Sequence, residues 1–256
     1  MKSRIFIVTH KGLPLLNNEL YTPIQVGNGA AIASIIRDNT GDTISLKNDN
    51  FCELTASYWI YKNITNTQFV GICHYRRFFN FFPSFFNFYP SRQKKILSKD
   101  FEKTKTYKSS AEKTNAKISS ILKNNDCIML RAYNIEEGLS QSYYNSKDGH
   151  RKSDWITTLE IIKELYPEYS NSIINYLDKG KKFHMGNMMI TTKEKWDIYH
   201  SWLFSILFEL EKRIEVPTDA IQKRVFGYIS ERIINLYVYH NKFKIKELGG
   251  YKIIDN

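Results

Sequence analysis

Short apolar runs recur along this chain, and longer segments with helical spacing separate them. That alternation constrains the fold more than any other feature. Arg4–Thr9 (RIFIVT), Gln68–Cys73 and Asp126–Leu130 are five or six residues of mostly apolar character, the length of buried strands rather than helices. His184–Thr191 and Phe243–Leu248 read as two more strands. Phe51–Asn63 reads as a helix, because Leu54, Tyr58 and Tyr61 repeat at helical spacing and Asn50 can cap it. Ser153–Leu165, Glu194–Ile214 and Asp219–His240 are further helices, and Pro167 starts another that runs to Lys179. Strands alternating with helices predict an α/β fold with a mainly parallel central sheet and a helical C-terminal part. The Lys/Ser/Thr-rich stretch Ser91–Asn125 reads as a surface excursion, mobile over about residues 91–117. A chain of 256 residues fits one domain.

The formal net charge is +11, which favours an anionic partner: nucleic acid, a nucleotide phosphate or an acidic membrane face. The charge is spread along the chain and no nucleic-acid-binding motif occurs, so no nucleic-acid partner is expected. The three cysteines, Cys52, Cys73 and Cys127, form no CxxC pair and read as small buried thiols in a reducing compartment. The apolar run near Met1 is too short for a signal core, and no segment approaches the ~18 apolar residues of a membrane span. The expected location is the cytoplasm, peripheral to the inner face of the membrane.

In open α/β sheets, ligands bind beyond the carboxyl ends of the strands. His74-Tyr75-Arg76-Arg77 follows the strand Gln68–Cys73. Two guanidiniums there suit a diphosphate, each chelating oxygens with a fixed fork; a structural pair bridging carboxylates is an equal alternative. As a strand, His184–Thr191 sets His184, Gly186 and Met188 on one side and Met185, Asn187 and Met189 on the other. His184 and Asn187 are candidates for sugar hydroxyls, and Gly186 for close approach of a ligand. Arg224, Tyr228, Glu231 and Asn235 are spaced 4, 3 and 4, so they share one helical face beside the apolar stripe Val225, Ile229, Ile233 and Leu236.

Ordered motifs run along nearly the whole chain: IFIVTHK from Ile5, PIQVG from Pro23, DTISLKN from Asp42, CELTASYWIYKN from Cys52, GICHYRRF from Gly71, FHMGNMMI from Phe183, WLFSILFELEKRI from Trp202 and FGYISERIINLYVYHN from Phe226. In these the chain resembles the bacterial capsular-polysaccharide and O-antigen glycosyltransferases grouped as domain of unknown function 4422, glycosyltransferase family 111. The resemblance implies a GT-A-like nucleotide-binding fold and transfer of a sugar from a UDP-sugar to a glycan, as some relatives transfer galactofuranose with inversion. It implies that Thr9, His10 and Lys11 cradle the nucleoside, with a core role for His10 as the alternative. Asp42, Lys47 and Asn48, with His74, Tyr75, Arg76, Arg77, His184, Gly186, Asn187, Arg224 and Arg232, complete the donor-binding candidates.

GT-A enzymes usually carry an Asp-x-Asp that holds a divalent metal on the diphosphate. The sequence contains none. Arg76 and Arg77 stand in its place and can supply the fixed positive charge themselves, so no metal cofactor is expected; recruitment by Asp42 or Asp49 is the alternative. Inversion needs one carboxylate to take the acceptor's proton. By analogy Glu231 is the first choice, Asp154 the second and Asp219 the third, whereas Glu53 reads as a structural charge at a helix start. The phenylalanine-rich stretch Phe78–Tyr89, followed by Arg92, Lys94 and Lys95, suits a loop meeting a membrane that carries a lipid-linked glycan acceptor; packing into the core is the alternative. The competing functions are a retaining hexosyltransferase and a non-catalytic glycan- or nucleic-acid-binding module.

Overall fold

A computed structural model of the protein describes residues 3–12, 16–83, 93–147 and 150–254. Its strands are β1 (Ser3–Thr9), β2 (Tyr21–Gln25), β3 (Ile36–Arg37), β4 (Phe69–His74), β5 (Arg77–Phe79), β6 (Gln93–Leu97), β7 (Cys127–Leu130), β8 (Tyr133–Asn134), β9 (Lys182–Phe183), β10 (Met189–Thr192), β11 (Ile245–Leu248) and β12 (Gly250–Ile254). The main sheet runs in the order β11-β7-β10-β4-β1-β2-β3, and β5, β12 and β6 extend it from the end of β4. Pairings of β1 with β2 and β4, β2 with β3, β7 with β11, and β6 with β12 are parallel. Those of β10 with β4 and β7, and of β5 with β4 and β12, are antiparallel. The sheet is therefore mixed and mostly parallel, within an α/β fold. β8 and β9 form a separate two-stranded ribbon.

The strands read as continuous apolar runs because both sheet faces are covered. Along β1, Phe6 and Val8 point into one core and Ile5 and Ile7 into the other. Val70 and Ile72 of β4 join the first core, with Phe69 and Cys73 in the second; β7 divides Cys127 and Met129 from Ile128 and Leu130 in the same way. The period-two alternation sorts side chains by face rather than by polarity. The first core is roofed by the helices Leu54–Asn63, Lys152–Leu165, Lys193–Arg213 and Val225–His240. Each fully buried Ile or Phe in these layers contributes about 1.5–3 kcal/mol. Where β10 crosses β4, Gly71 is required. A Cβ there would lie 2.4 Å from Ile190 Cγ1 and 3.0 Å from the Met189 carbonyl oxygen.

Four expectations are corrected. The Ser91–Asn125 stretch is not an excursion. Its described residues form β6, which pairs with β12, short helices at Ser98–Phe101 and Lys105–Lys108, and the helix Ala111–Leu122. Thr114, Ile118 and Leu122 bury one face of that last helix, and Ser110 caps it by accepting a hydrogen bond from the Lys113 amide. His184–Thr191 is not one strand. Gly186 at φ +99° and Asn187 at φ +50° take the chain through a left-handed turn before β10. Of the phenylalanine cluster, Phe78, Phe79 and Phe81 are only 1–2% exposed and belong to the second core. Phe85, Phe86, Phe88, Tyr89 and Arg92 lie outside the described residues. The expected helix after Pro167 becomes a 3₁₀ turn, Pro167–Tyr169, and an irregular helical segment to Asp178. Among the described residues no helix is long and apolar enough to cross a membrane.

Candidate active site

β4 ends in His74, which pairs directly with Arg77, so Tyr75 and Arg76 form the two-residue tip of a hairpin. The Tyr75 amide donates to the Val8 carbonyl at 3.0 Å, and the Arg76 carbonyl accepts from the Ile253 amide at 2.8 Å. These bonds pin the tip to β1 and β12. The guanidiniums are thereby set over a cleft of about 570 Å³ at the carboxyl ends of β1 and β4, the place where such sheets bind ligands. Arg76 lies over the Tyr75 ring at 5.2 Å. The Nε of Arg77 is buried and has no hydrogen-bond partner among the described residues, a donor left unsatisfied.

The opposite wall is the start of the helix Val225–His240. It presents Arg224, Tyr228 and Glu231 to the cleft, three members of the face read from the 4-3-4 spacing. The fourth, Asn235, is fully buried. Its Oδ1 accepts from the His184 amide at 2.8 Å, and its Nδ2 donates to the His184 carbonyl at 3.0 Å. It thus anchors the left-handed turn to the helix. Arg224 Nε donates to Cys52 Sγ at 3.3 Å, and its guanidinium lies 5.3 Å from the Tyr228 ring centroid.

Burial pushes the Glu231 carboxyl up to about 7 and the negative charge of Glu53 adds to it, while Arg232, Arg77 and Arg224 pull the other way. A carboxylate with that proton affinity is a competent base near neutral pH. Glu53 itself lines the cleft, and its Oε1 accepts a hydrogen bond from Asn187 Nδ2 at 2.8 Å. It is more than a charge at a helix start. His74 donates from Nε2 to the Gly186 carbonyl at 2.6 Å. Burial pushes the His74 pKa down, only partly countered by Glu53. A ring this disfavoured as a cation holds the turn as a neutral group.

The cleft also gathers Thr9, His10 and Asn48. Thr9 Oγ1 accepts from the Lys11 amide at 3.0 Å and closes the bend after β1. His10 sets its ring edge-on to Tyr75 at 5.1 Å. Desolvation, then the charges of Lys11, Arg76 and Arg224, push its pKa down. Asn48 Nδ2 donates to the Cys52 carbonyl at 2.7 Å, holding the strained Cys52 backbone at φ +52°.

Several sequence candidates lie elsewhere. Lys11 is exposed outside the cleft lining. Asp42 accepts from the Tyr58 hydroxyl at 3.0 Å and steadies the helix Leu54–Asn63. Lys47 is paired with Glu211 at 2.5 Å. His184 Nδ1 is bonded to the Leu130 carbonyl at 2.8 Å, and the ring opens on a different cavity, beside Glu247. Arg232 turns away to the Tyr143 and Phe183 rings, at 4.9 and 5.4 Å, and donates to the Tyr228 carbonyl. Asp154 is held at both oxygens by Arg151, at 2.9 and 3.0 Å. Asp219 is exposed and caps the turn at Ile221 and Gln222. Gly186 and Asn187 sit behind the cleft, in contact with His74 and Glu53.

Sequence reasoning missed Lys223 and Lys252, two further cations on the cleft wall. Lys252 arrives because β12 pairs it with Arg77, a register that no local pattern announces. Asp49 is paired with Lys223 at 2.9 Å and Glu53 is engaged by Asn187. Among the described residues no group of three or more His, Cys, Asp or Glu side chains is arranged to hold a metal ion.

The model of a family described as a domain of unknown function, DUF4422, matches residues 4–242. The chain belongs to that family. The DUF4422 chain is also similar to the solved apo structure of the WbbM bifunctional glycosyltransferase, with a TM-score of 0.87 and 29% identity over 99% of this chain. It spans 45% of the WbbM chain, somewhat less than half. Comparison with curated proteins finds no match.

Proposed function

We propose that this DUF4422 protein is a glycosyltransferase that moves a sugar, galactofuranose or another hexose, from UDP to a growing surface glycan with inversion. The observation that carries the reading is the meeting of unlike groups in one cleft. An arginine hairpin with an unsatisfied donor faces a partly buried carboxylate tuned near neutrality. The likeness to a bifunctional glycosyltransferase supports the same class of reaction. The cleft has room for a nucleoside diphosphate within the range of small-molecule sites.

In the reaction, Arg76, Arg77, Arg224 and Lys252 hold the diphosphate and stabilise the charge that grows on it as the bond to C1 breaks. The departing UDP keeps that electron pair. The acceptor hydroxyl attacks C1 from the opposite face, and its proton passes to Glu231. His10 and Tyr75, with their rings edge to face at the mouth of β1, offer an apolar edge to the nucleoside. A thermal-shift screen of nucleoside diphosphates and UDP-sugars tests the donor assignment. UDP should raise the melting temperature by mass action, and a flat response to every nucleotide would refute it. The same screen with released UDP as readout separates an enzyme from a binding module.

Fixed cations take the place of a metal in this reading. Turnover should therefore be unchanged by EDTA, and an EDTA loss restored by Mn²⁺ would overturn that part.

The acceptor is assigned as a lipid-linked glycan at the inner membrane face. Phe82, partly buried, lies beside a lysine-rich hollow formed by Lys103, Lys105, Lys108, Lys113 and Lys117. Lys113 Nζ is 5.3 Å from its ring centroid. Each lysine near an anionic surface contributes about 1 kcal/mol. Co-sedimentation with vesicles should rise with anionic lipid and fall with salt. Lys105→Glu with Lys108→Glu should weaken it while UDP binding holds; sedimentation indifferent to both changes would remove the membrane from the account.

A further inference from the structure

The cleft holds two carboxylates, and the reaction as derived uses only one. Glu53 precedes the helix Leu54–Asn63, and Glu231 lies on the helix Val225–His240. A single amide ties the two elements together. Asn187 Nδ2 donates to Glu53 Oε1 and to Ser230 Oγ, both at 2.8 Å, and Ser230 Oγ donates onward to the Gly227 carbonyl at 2.8 Å. Asn187 is 7% exposed and held at φ +50°. Its turn is fixed by His74 on the Gly186 carbonyl and by Asn235 on both backbone groups of His184. All this bonding around one left-handed residue holds the amide that orients the Glu53 carboxylate.

We propose that Glu53 is a positioning residue: clamped by Asn187, it sets its negative charge against Glu231 and so makes that carboxylate a stronger acceptor for the proton of the attacking hydroxyl. The proposal rests on the reading of Glu231 as the base. The charged groups whose fields act on Glu231 are Glu53, Arg77 from β5, Arg224 from the turn before the last helix, and Arg232 from its own helix. Of these only Glu53 favours the protonated form. After burial it is the largest influence on Glu231. Without it, burial alone would oppose the three cations, and Glu231 would be a weaker base.

The experiment is the pH dependence of kcat/KM for Glu53→Gln, Glu53→Asp and Glu231→Gln, with a parallel ¹³C titration of the Glu231 carboxyl in labelled protein. Gln keeps an oxygen for Asn187 and loses the charge. Its acid limb, and the ¹³C midpoint of Glu231, should move about one pH unit lower, with UDP affinity unchanged. Asp keeps the charge and should leave the limb near its wild-type position. Should Glu53→Gln fail to fold, Asn187→Ala frees the Glu53 carboxylate and should shift both readouts the same way. An inactive Glu231→Gln with an unmoved Glu53→Gln limb would overturn the positioning role and leave the base in place. Loss of UDP binding in Glu53→Gln would overturn it by making Glu53 a donor ligand. Near-normal turnover in Glu231→Gln would remove the base itself, and the positioning role with it.

Discussion

Glu231→Gln should bind UDP as tightly as the wild type and turn over about 10²–10⁴ times more slowly, the usual cost of removing a general base. In the wild type, activity should rise through pH about 7 as Glu231 gives up its proton. The variant should lose that limb. Stability should move in the opposite sense. A carboxyl whose pKa is raised on folding contributes stability that is full below its unfolded value, near 4.5, and is lost as pH rises through the folded value, about 7. A neutral amide escapes that loss. Above pH 7, Glu231→Gln should therefore melt higher than the wild type while working far worse, a signature that a merely structural glutamate would not show. Normal turnover in a well-folded variant would move the base away from this helix.

Arg77→Ala should weaken UDP binding about ten- to hundredfold, because one desolvated, charge-assisted contact to phosphate is worth roughly 1.5–3 kcal/mol. Turnover should fall with it, since the same guanidinium faces the charge that develops on the leaving group. The melting temperature should stay close to that of the wild type, because the Arg77 Nε has no internal partner to lose. Arg77 also favours the ionised form of Glu231, so its removal should push the acid limb to higher pH. Calorimetric titration with UDP and a melting curve are the deciding measurements. A protein that unfolds, with its folded fraction binding UDP normally, would make Arg77 a structural residue.

Much of the scaffold was legible because the strands are buried on both faces. RIFIVT and CIML need no partner to be read as strands, and both appear within a residue or two of the expected bounds. The covered setting of the helix that carries Glu231 was legible because the 4-3-4 polar face adjoins a full apolar stripe; the choice of Glu231 on it came from analogy. Asp154 carried the same carboxyl and a similar helix, yet Arg151 occupies it at both oxygens. That pair is local, three residues apart at the start of one helix, and was open to a reading of the sequence. Glu53 looked like a helix-start charge because its clamp, Asn187, lies far along the chain. The turn at His184–Met188 was mistaken for strand because its apolar methionines resemble one, although the adjacent Gly and Asn are the two residues most at ease at positive φ. The error at Ser91–Asn125 had a visible remedy. Thr114, Ile118 and Leu122 already stand at helical spacing, but polar composition outweighed them.

The pairing of β12 with β5 has a consequence for how the protein acquires and loses its site. Arg77 and Lys252 are neighbours across one ladder, but about two thirds of the described chain lies between them. Contacts that close such long loops cost the most chain entropy before they return anything. The helices Lys152–Leu165, Lys193–Arg213 and Val225–His240 lie near one another in the chain and can gather early, whereas the arginine hairpin gains its second strand only when β12, close to the end of the described residues, reaches it. The phosphate arm should thus be among the last parts to assemble on refolding and among the first to loosen under denaturant. Bound nucleotide would then act as a clasp on that ladder, slowing hydrogen exchange in β5 and β12 more than anywhere in the helical layer.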